Sequence, residues 1–100
     1  MKLRIDGATL RLRLSEDDIR RLAETGVISV EMPVRPGIGL TFALRAGDAL
    51  AVALADHVLT VAVPDAWVGR WAGGDAGALR GRLDAGDGQT LTVVVEPDLA

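Results

Sequence analysis

The sequence predicts an α+β fold: two pseudo-repeats of strand–strand–helix–strand–strand, mainly antiparallel, with eight strands as packed sheets or a small barrel and two helices. Three observations lead there. Apolar residues recur with period two in run after run, as half-buried strands require. Turn residues separate those runs at hairpin spacing. The two halves, 1–48 and 49–100, also share one grammar within a 100-residue chain, a length suited to a single domain.

In the first half, Leu3 and Ile5, then Leu10, Leu12 and Leu14, alternate with Lys2, Arg4, Thr9, Arg11 and Arg13, and Asp6-Gly7 supplies the hairpin turn between the two runs. Ser15 offers a hydroxyl N-cap, and Glu16, Asp17 and Asp18 place carboxylates at the positive end of the next helix. Ile19, Leu22 and Ala23 give that helix an apolar face, and Gly26 stops it. Val27 to Met32 forms the next strand, and Pro33-Val34-Arg35-Pro36-Gly37 a turn or loop. Leu40, Phe42 and Leu44 continue in a strand closed by Gly47-Asp48.

The second half begins with Leu50, Val52 and Leu54 alternating with alanines, and Asp56-His57 turns the chain into Leu59, Val61 and Val63. Pro64 starts a short helix, where its missing N–H is no loss. Val68, Trp71 and Ala72 carry that helix to Gly73-Gly74; Leu79 and Leu83, then Leu91, Val93 and Val95, mark the last two strands. At an offset of 49, Leu10, Leu12, Leu14, Ser15, Ile19, Leu22 and Ala23 fall on Leu59, Val61, Val63, Pro64, Val68, Trp71 and Ala72. At 51, Ile28, Val30 and Met32 fall on Leu79, Gly81 and Leu83, while Leu40, Phe42 and Leu44 fall on Leu91, Val93 and Val95. Beyond these positions the match stops, with Asp48 falling on Leu99. A closed barrel would hide the strand edges, including the alanine-rich run 49–55.

Composition removes many chemistries. With no cysteine there is no disulfide framework, thiolate metal site or cysteine nucleophile. One histidine, two serines and no tyrosine leave most catalytic constellations without parts. Charges interrupt every window of membrane-spanning length, and Met1 to Asp6 lacks a signal peptide's apolar stretch, so a cytoplasmic protein with no membrane partner is expected. The net charge of -3 divides into +1 for residues 1–48 and -4 for residues 49–100. Any anion binding must therefore be local. Ten of the eleven basic residues are arginine, a bias attributable to a GC-rich genome.

The local candidate is the outer face of the first hairpin, with Lys2, Arg4, Arg11 and Arg13, and with Arg20 and Arg21 close in sequence. Such a face can hold the phosphates of a small anion or a nucleic acid. No aromatic side chain is interleaved for base stacking, which disfavours nucleic acid, and Glu16, Asp17, Asp18 and Glu24 are available to neutralise the face. A solvated surface is the favoured reading. Trp71 takes the place of the core residue Leu22; Trp67 takes that of Asp18, expected to be exposed, and so flanks the core or anchors a partner. The pair are the partner-binding candidates, with burial within the monomer the simpler role for both. His57, in a polar turn beside Asp56, is read as solvated rather than catalytic. Asp84-Ala85-Gly86-Asp87-Gly88 is a hairpin turn and not a calcium loop, since glycines occupy ligand positions. Gly37-Ile38-Gly39 lacks a third glycine, and the chain has no Gly-Lys-Ser/Thr, so no phosphate loop is present. No metal site, cofactor or catalytic residue is expected.

The opening Met1-Lys2-Leu3-Arg4-Ile5-Asp6-Gly7, running into Leu10-Arg11-Leu12-Arg13-Leu14-Ser15, resembles an uncharacterised family of small bacterial proteins of about 100 residues and unknown function. Further matches are the Thr41-Phe42 strand, Leu59-Thr60-Val61 leading to Pro64, Trp71 seven residues beyond that proline, and the closing Leu91 to Asp98. The sequence departs from that pattern at Pro97 and Leu99, and Gly69 weakens the second helix. The resemblance implies a fold and no activity, so no functional residue is transferred. A non-enzymatic binding or protein-interaction module is therefore expected, self-associating through a strand edge or the Trp67 helix. The alternative is a small anionic ligand, or nucleic acid, on the arginine face; a small enzyme ranks last.

Overall fold

The computed structural model describes residues 1–98, so Leu99, which entered the repeat match and the family resemblance, lies outside the described residues. The chain runs β1 (Lys2–Asp6), β2 (Thr9–Leu14), α1 (Glu16–Thr25), β3 (Val27–Arg35), β4 (Ile38–Gly47), β5 (Ala51–Ala55), β6 (Val58–Pro64), α2 (Asp65–Ala72), β7 (Leu79–Gly86) and β8 (Gln89–Pro97). Among the described residues, eight strands and two helices in the expected order confirm the α+β class and the repeated grammar. The barrel alternative is overturned: the strands form two open four-stranded sheets, ordered β1-β2-β8-β7 and β3-β4-β6-β5.

The halves are interleaved. The hairpins β1-β2, β3-β4, β5-β6 and β7-β8 are antiparallel, but each sheet is completed by a central parallel pair, β2 with β8 and β4 with β6. Every parallel pair joins the two halves. The first sheet takes the first hairpin of one half and the second hairpin of the other, and the second sheet takes the remaining two. The pairing respects the repeat: Leu10 sits beside Val93 in the first sheet, as Leu59 sits beside Phe42 in the second. The two sheets are thus mixed rather than purely antiparallel.

Alternation puts one face of each sheet inward. A single core cluster takes Leu10, Leu12, Leu14, Val93 and Val95 from the first sheet and Ile28, Leu44, Val61 and Val63 from the second. Ile19 and Leu22 of α1 and Val68 and Trp71 of α2 close it. At about 25 cal/mol per Å² of apolar surface buried, this shared core is the main stabilising term. The helices come after β2 and β6 at the same end of their sheets, opposite the hairpin turns, and pack on one another.

Local chemistry explains the boundaries. Ser15 caps α1: its hydroxyl accepts from the Asp18 N–H at 3.1 Å, and the Asp18 carboxylate accepts from the Ser15 N–H at 2.9 Å, a reciprocal capping box. Gly26 ends α1 in the left-handed conformation at φ 83°, its N–H donating to the Leu22 carbonyl. Asp56 and His57 both adopt positive φ, giving β5-β6 a two-residue turn without glycine. The segment 33–37 is not all loop: β3 continues through an irregularity at Pro33–Arg35, and only Pro36-Gly37 turns. Proline can sit there because β3 is an edge strand, where a missing N–H leaves no ladder bond unmade. Pro64 ends β6 and occupies the N-cap of α2, one place ahead of the first helical residue.

Candidate functional site

The outward residues of the first sheet form a grid fixed by register. Arg4, Arg11, Val94 and Arg80 make one row across β1, β2, β8 and β7. Asp6, Thr9, Thr92 and Arg82 make the next, and Lys2, Arg13 and Glu96 a third. The four predicted anion candidates, Lys2, Arg4, Arg11 and Arg13, therefore do share one face. Sequence reasoning missed Arg80 and Arg82, which join them only because β7 reaches this sheet through β8. Alternation in β7 signalled that both point away from Leu79 and Leu83, but not which face they would share.

Glu96 lies between two of the cations. It accepts from Arg11 at 3.0 Å and from Arg13 at 3.2 Å, while Lys2 reaches Asp98 at 3.0 Å. Neutralisation thus comes from β8 and the residue after it, not from the α1 carboxylates. Asp17 instead pairs with Arg20 on the helix surface, and Asp18 turns inward. Among the described residues Arg4, Arg80 and Arg82 form no ion pair. Val94, though on this outer face, is only 1% exposed. Its neighbours in register are Arg11 and Arg80, whose long side chains flank it.

Two adjoining hollows open here. One of about 310 Å³ is lined by Arg4, Asp6, Thr9, Arg11 and Arg80; the other, about 290 Å³, by Lys2, Leu3, Arg4, Arg11 and Arg13. Arg4 and Arg11 belong to both. The first hollow holds three guanidiniums against one carboxylate, with a threonine hydroxyl as a neutral partner. Such a set can grip an anion through several N–H groups at once. Among the described residues no aromatic ring stands on this face of the first sheet, as the sequence indicated.

The other candidates have structural partners. Trp71 is 3% exposed, and its indole N–H donates to the Gly77 carbonyl at 2.8 Å, so it is a core residue. Asp75 fixes that loop: the Gly77 N–H and the Arg70 guanidinium hold its carboxyl below the usual range. Trp67 is half-buried, 5.7 Å from Trp71 between ring centroids, and the Arg70 guanidinium stacks 3.9 Å above it. The match of Trp67 to Asp18 predicts an exposed position, but Asp18 is 7% exposed and pairs with the N-terminal ammonium at 2.7 Å. His57 is exposed at its turn. An open groove of about 450 Å³ between α1 and α2, lined by Ile19, Ala23, Trp71 and Ala72, has Glu16, Arg20 and Glu24 at its rim. Among the described residues no three His, Cys, Asp or Glu side chains come together, and no helix is long and apolar enough to cross a membrane.

No curated protein and no solved structure matches the chain. A family model does, over residues 1–100, and the protein belongs to that family, a family of unknown function (DUF7009).

Proposed function

We propose that the protein is a non-enzymatic, cytoplasmic binding module that holds a compact anion, phosphate-bearing or of similar charge, on the outer face of the first sheet. The observation that carries this reading is the trio Arg4, Arg80 and Arg82, which form no ion pair among the described residues. Two of them line a hollow whose one acid is Asp6. Arg21, Arg35 and Arg45 likewise form no ion pair among the described residues, and what sets Arg4 and Arg80 apart is that they line one hollow together with Arg11, while the acids Glu96 and Asp98 serve Arg11, Arg13 and Lys2. A rigid sheet fixes the spacing of the guanidiniums, which lowers the entropy lost on binding. The lack of stacking side chains on this face favours a small polyanion over single-stranded nucleic acid.

Calorimetric titration with pyrophosphate, ATP and a short single-stranded oligonucleotide at low salt tests the reading. Pyrophosphate or ATP binds, the affinity falls as salt rises, and Arg4→Ala and Arg80→Ala each weaken it by about tenfold, the loss of one charge-assisted contact. Arg21→Ala, on the exposed side of α1, leaves it unchanged. No heat with any of these, or equal losses in all three variants, overturns it.

A further inference from the structure

We propose that the protein forms a two-fold homodimer by pairing the free edge of β5 with the same edge of a second copy, antiparallel about Ala53. The internal repeat singles this edge out. Both sheets end in free strands, and β1 and β5 occupy equivalent places in the two sheets. At the repeat offset the outward residues Lys2, Arg4 and Asp6 of β1 correspond to Ala51, Ala53 and Ala55 of β5. The same structural position is charged in one half and stripped of charge in the other.

Exposed edges invite pairing between chains, and proteins guard them with charges, prolines or bulges. Three of the four edges are guarded. Besides the charges of β1, β7 carries Arg80, Arg82 and Asp84 and an irregularity near Gly86, while β3 carries Glu31, Pro33 and Arg35 and its own irregularity. Only β5, Ala-Val-Ala-Leu-Ala, has none of these devices, and the turn after it is two residues long.

The occupant that fits is another copy, because the strand is its own complement. Pairing about Ala53 sets Ala53 against Ala53, Ala51 against Ala55 and Val52 against Leu54. Every pair that this two-fold makes is alanine on alanine or apolar on apolar, with no like charges opposed, as a self-complementary interface requires. Leu54 is 71% exposed, the most exposed large apolar residue among those described, and sits at the end of an apolar row running Val30, Phe42, Leu59, Leu54 across the second sheet. In the dimer Val52 of the second copy extends that row and covers Leu54. The same pairing at β1 would set Arg4 against Arg4, a like-charge contact that destabilises a ladder.

Sedimentation equilibrium of the full chain tests this. The mass doubles from 10.5 kDa as concentration rises from about 1 µM to about 500 µM, the range expected for a small interface. Ala53→Lys and Ala53→Glu, on an exposed position that tolerates either side chain, are each monomeric across that range; mixed in equal amounts they restore the doubled mass. Ser29→Lys, on the same outer face but at the opposite edge, remains dimeric as the wild type does. A wild type that stays at 10.5 kDa throughout overturns the proposal. So does an Ala53→Lys variant that still dimerises, and a Ser29→Lys variant that does not would assign the contact to the face of the sheet instead.

Discussion

Asp18 shows how one side chain can serve three ends at once. It closes the capping box with Ser15, it faces the N-terminal ammonium, and it is among the few polar groups drawn inside. Burial pushes its carboxyl upward, but the ammonium and the Ser15 N–H and hydroxyl outweigh burial and hold it below the ordinary range. A carboxyl lowered by folding stabilises the protein above the unfolded-state pKa, and that contribution is lost as pH falls through the folded value. Stability is therefore expected to drop below about pH 4. Asp18→Asn removes the charge partner of the ammonium of Met1, a residue that is only half-buried, and is expected to lower unfolding free energy by about 1 kcal/mol at pH 7. Urea unfolding at pH 7 and pH 3 checks both points: the variant's loss shrinks at pH 3, and an equal loss at the two pH values contradicts the assignment. The sequence disclosed the cap, since Ser15 and the acids after it are adjacent in the chain. It could not disclose the ammonium, which meets Asp18 only through the tertiary fold.

At the scale of the element, the same division separates what was legible from what was not. Hairpins, helices and their caps are local, so period-two runs, Ser15, Gly26 and Asp56-His57 located them. Strand partners across the halves are not local: the alternation of Leu10, Leu12 and Leu14 says which face is buried and nothing of which neighbour lies beside it. Hence Arg11 and Arg13 were visible as a basic face, while Glu96, which joins them from β8, and Arg80 and Arg82, which extend the face from β7, were not. The length of β3 was hidden for another reason, because Pro33 punctuates it as a loop would while an edge strand tolerates it. The Glu96 cluster tests whether the face is tuned. Glu96→Gln frees Arg11 and Arg13 and is expected to tighten pyrophosphate binding by about threefold, as removal of one nearby carboxylate does in a largely aqueous setting. It costs about 0.5–1 kcal/mol of stability, since the ion pairs are only partly shielded. Calorimetry and urea unfolding measure the two effects, and weaker binding would show that Glu96 orders the arginines rather than opposing the anion.

For the whole molecule, the interleaving of the halves decides how it folds. Each half holds two antiparallel hairpins and one helix, but both central ladders, β2 with β8 and β4 with β6, run between the halves. The core is likewise shared, with Leu12 and Leu44 from the first half meeting Val61 and Val95 from the second. A half on its own keeps hairpins that are marginal in water and loses the partners of β2 and β4, or of β6 and β8. It also leaves its share of the core uncovered. The repeat therefore does not mark two domains joined end to end; it marks two units that are complete only together. Cutting the chain between Asp48 and Ala49, both exposed, tests this without disturbing any strand. Fragments 1–48 and 49–100 are each expected to show disordered circular dichroism and little amide dispersion. Mixed in equal amounts, they regain strand signal and a cooperative unfolding transition, because the cut spares every side chain and removes only one connection. A fragment that folds cooperatively alone would mean that its own hairpins and helix bury enough apolar surface, and that exchange of strands between halves is a matter of arrangement rather than of stability.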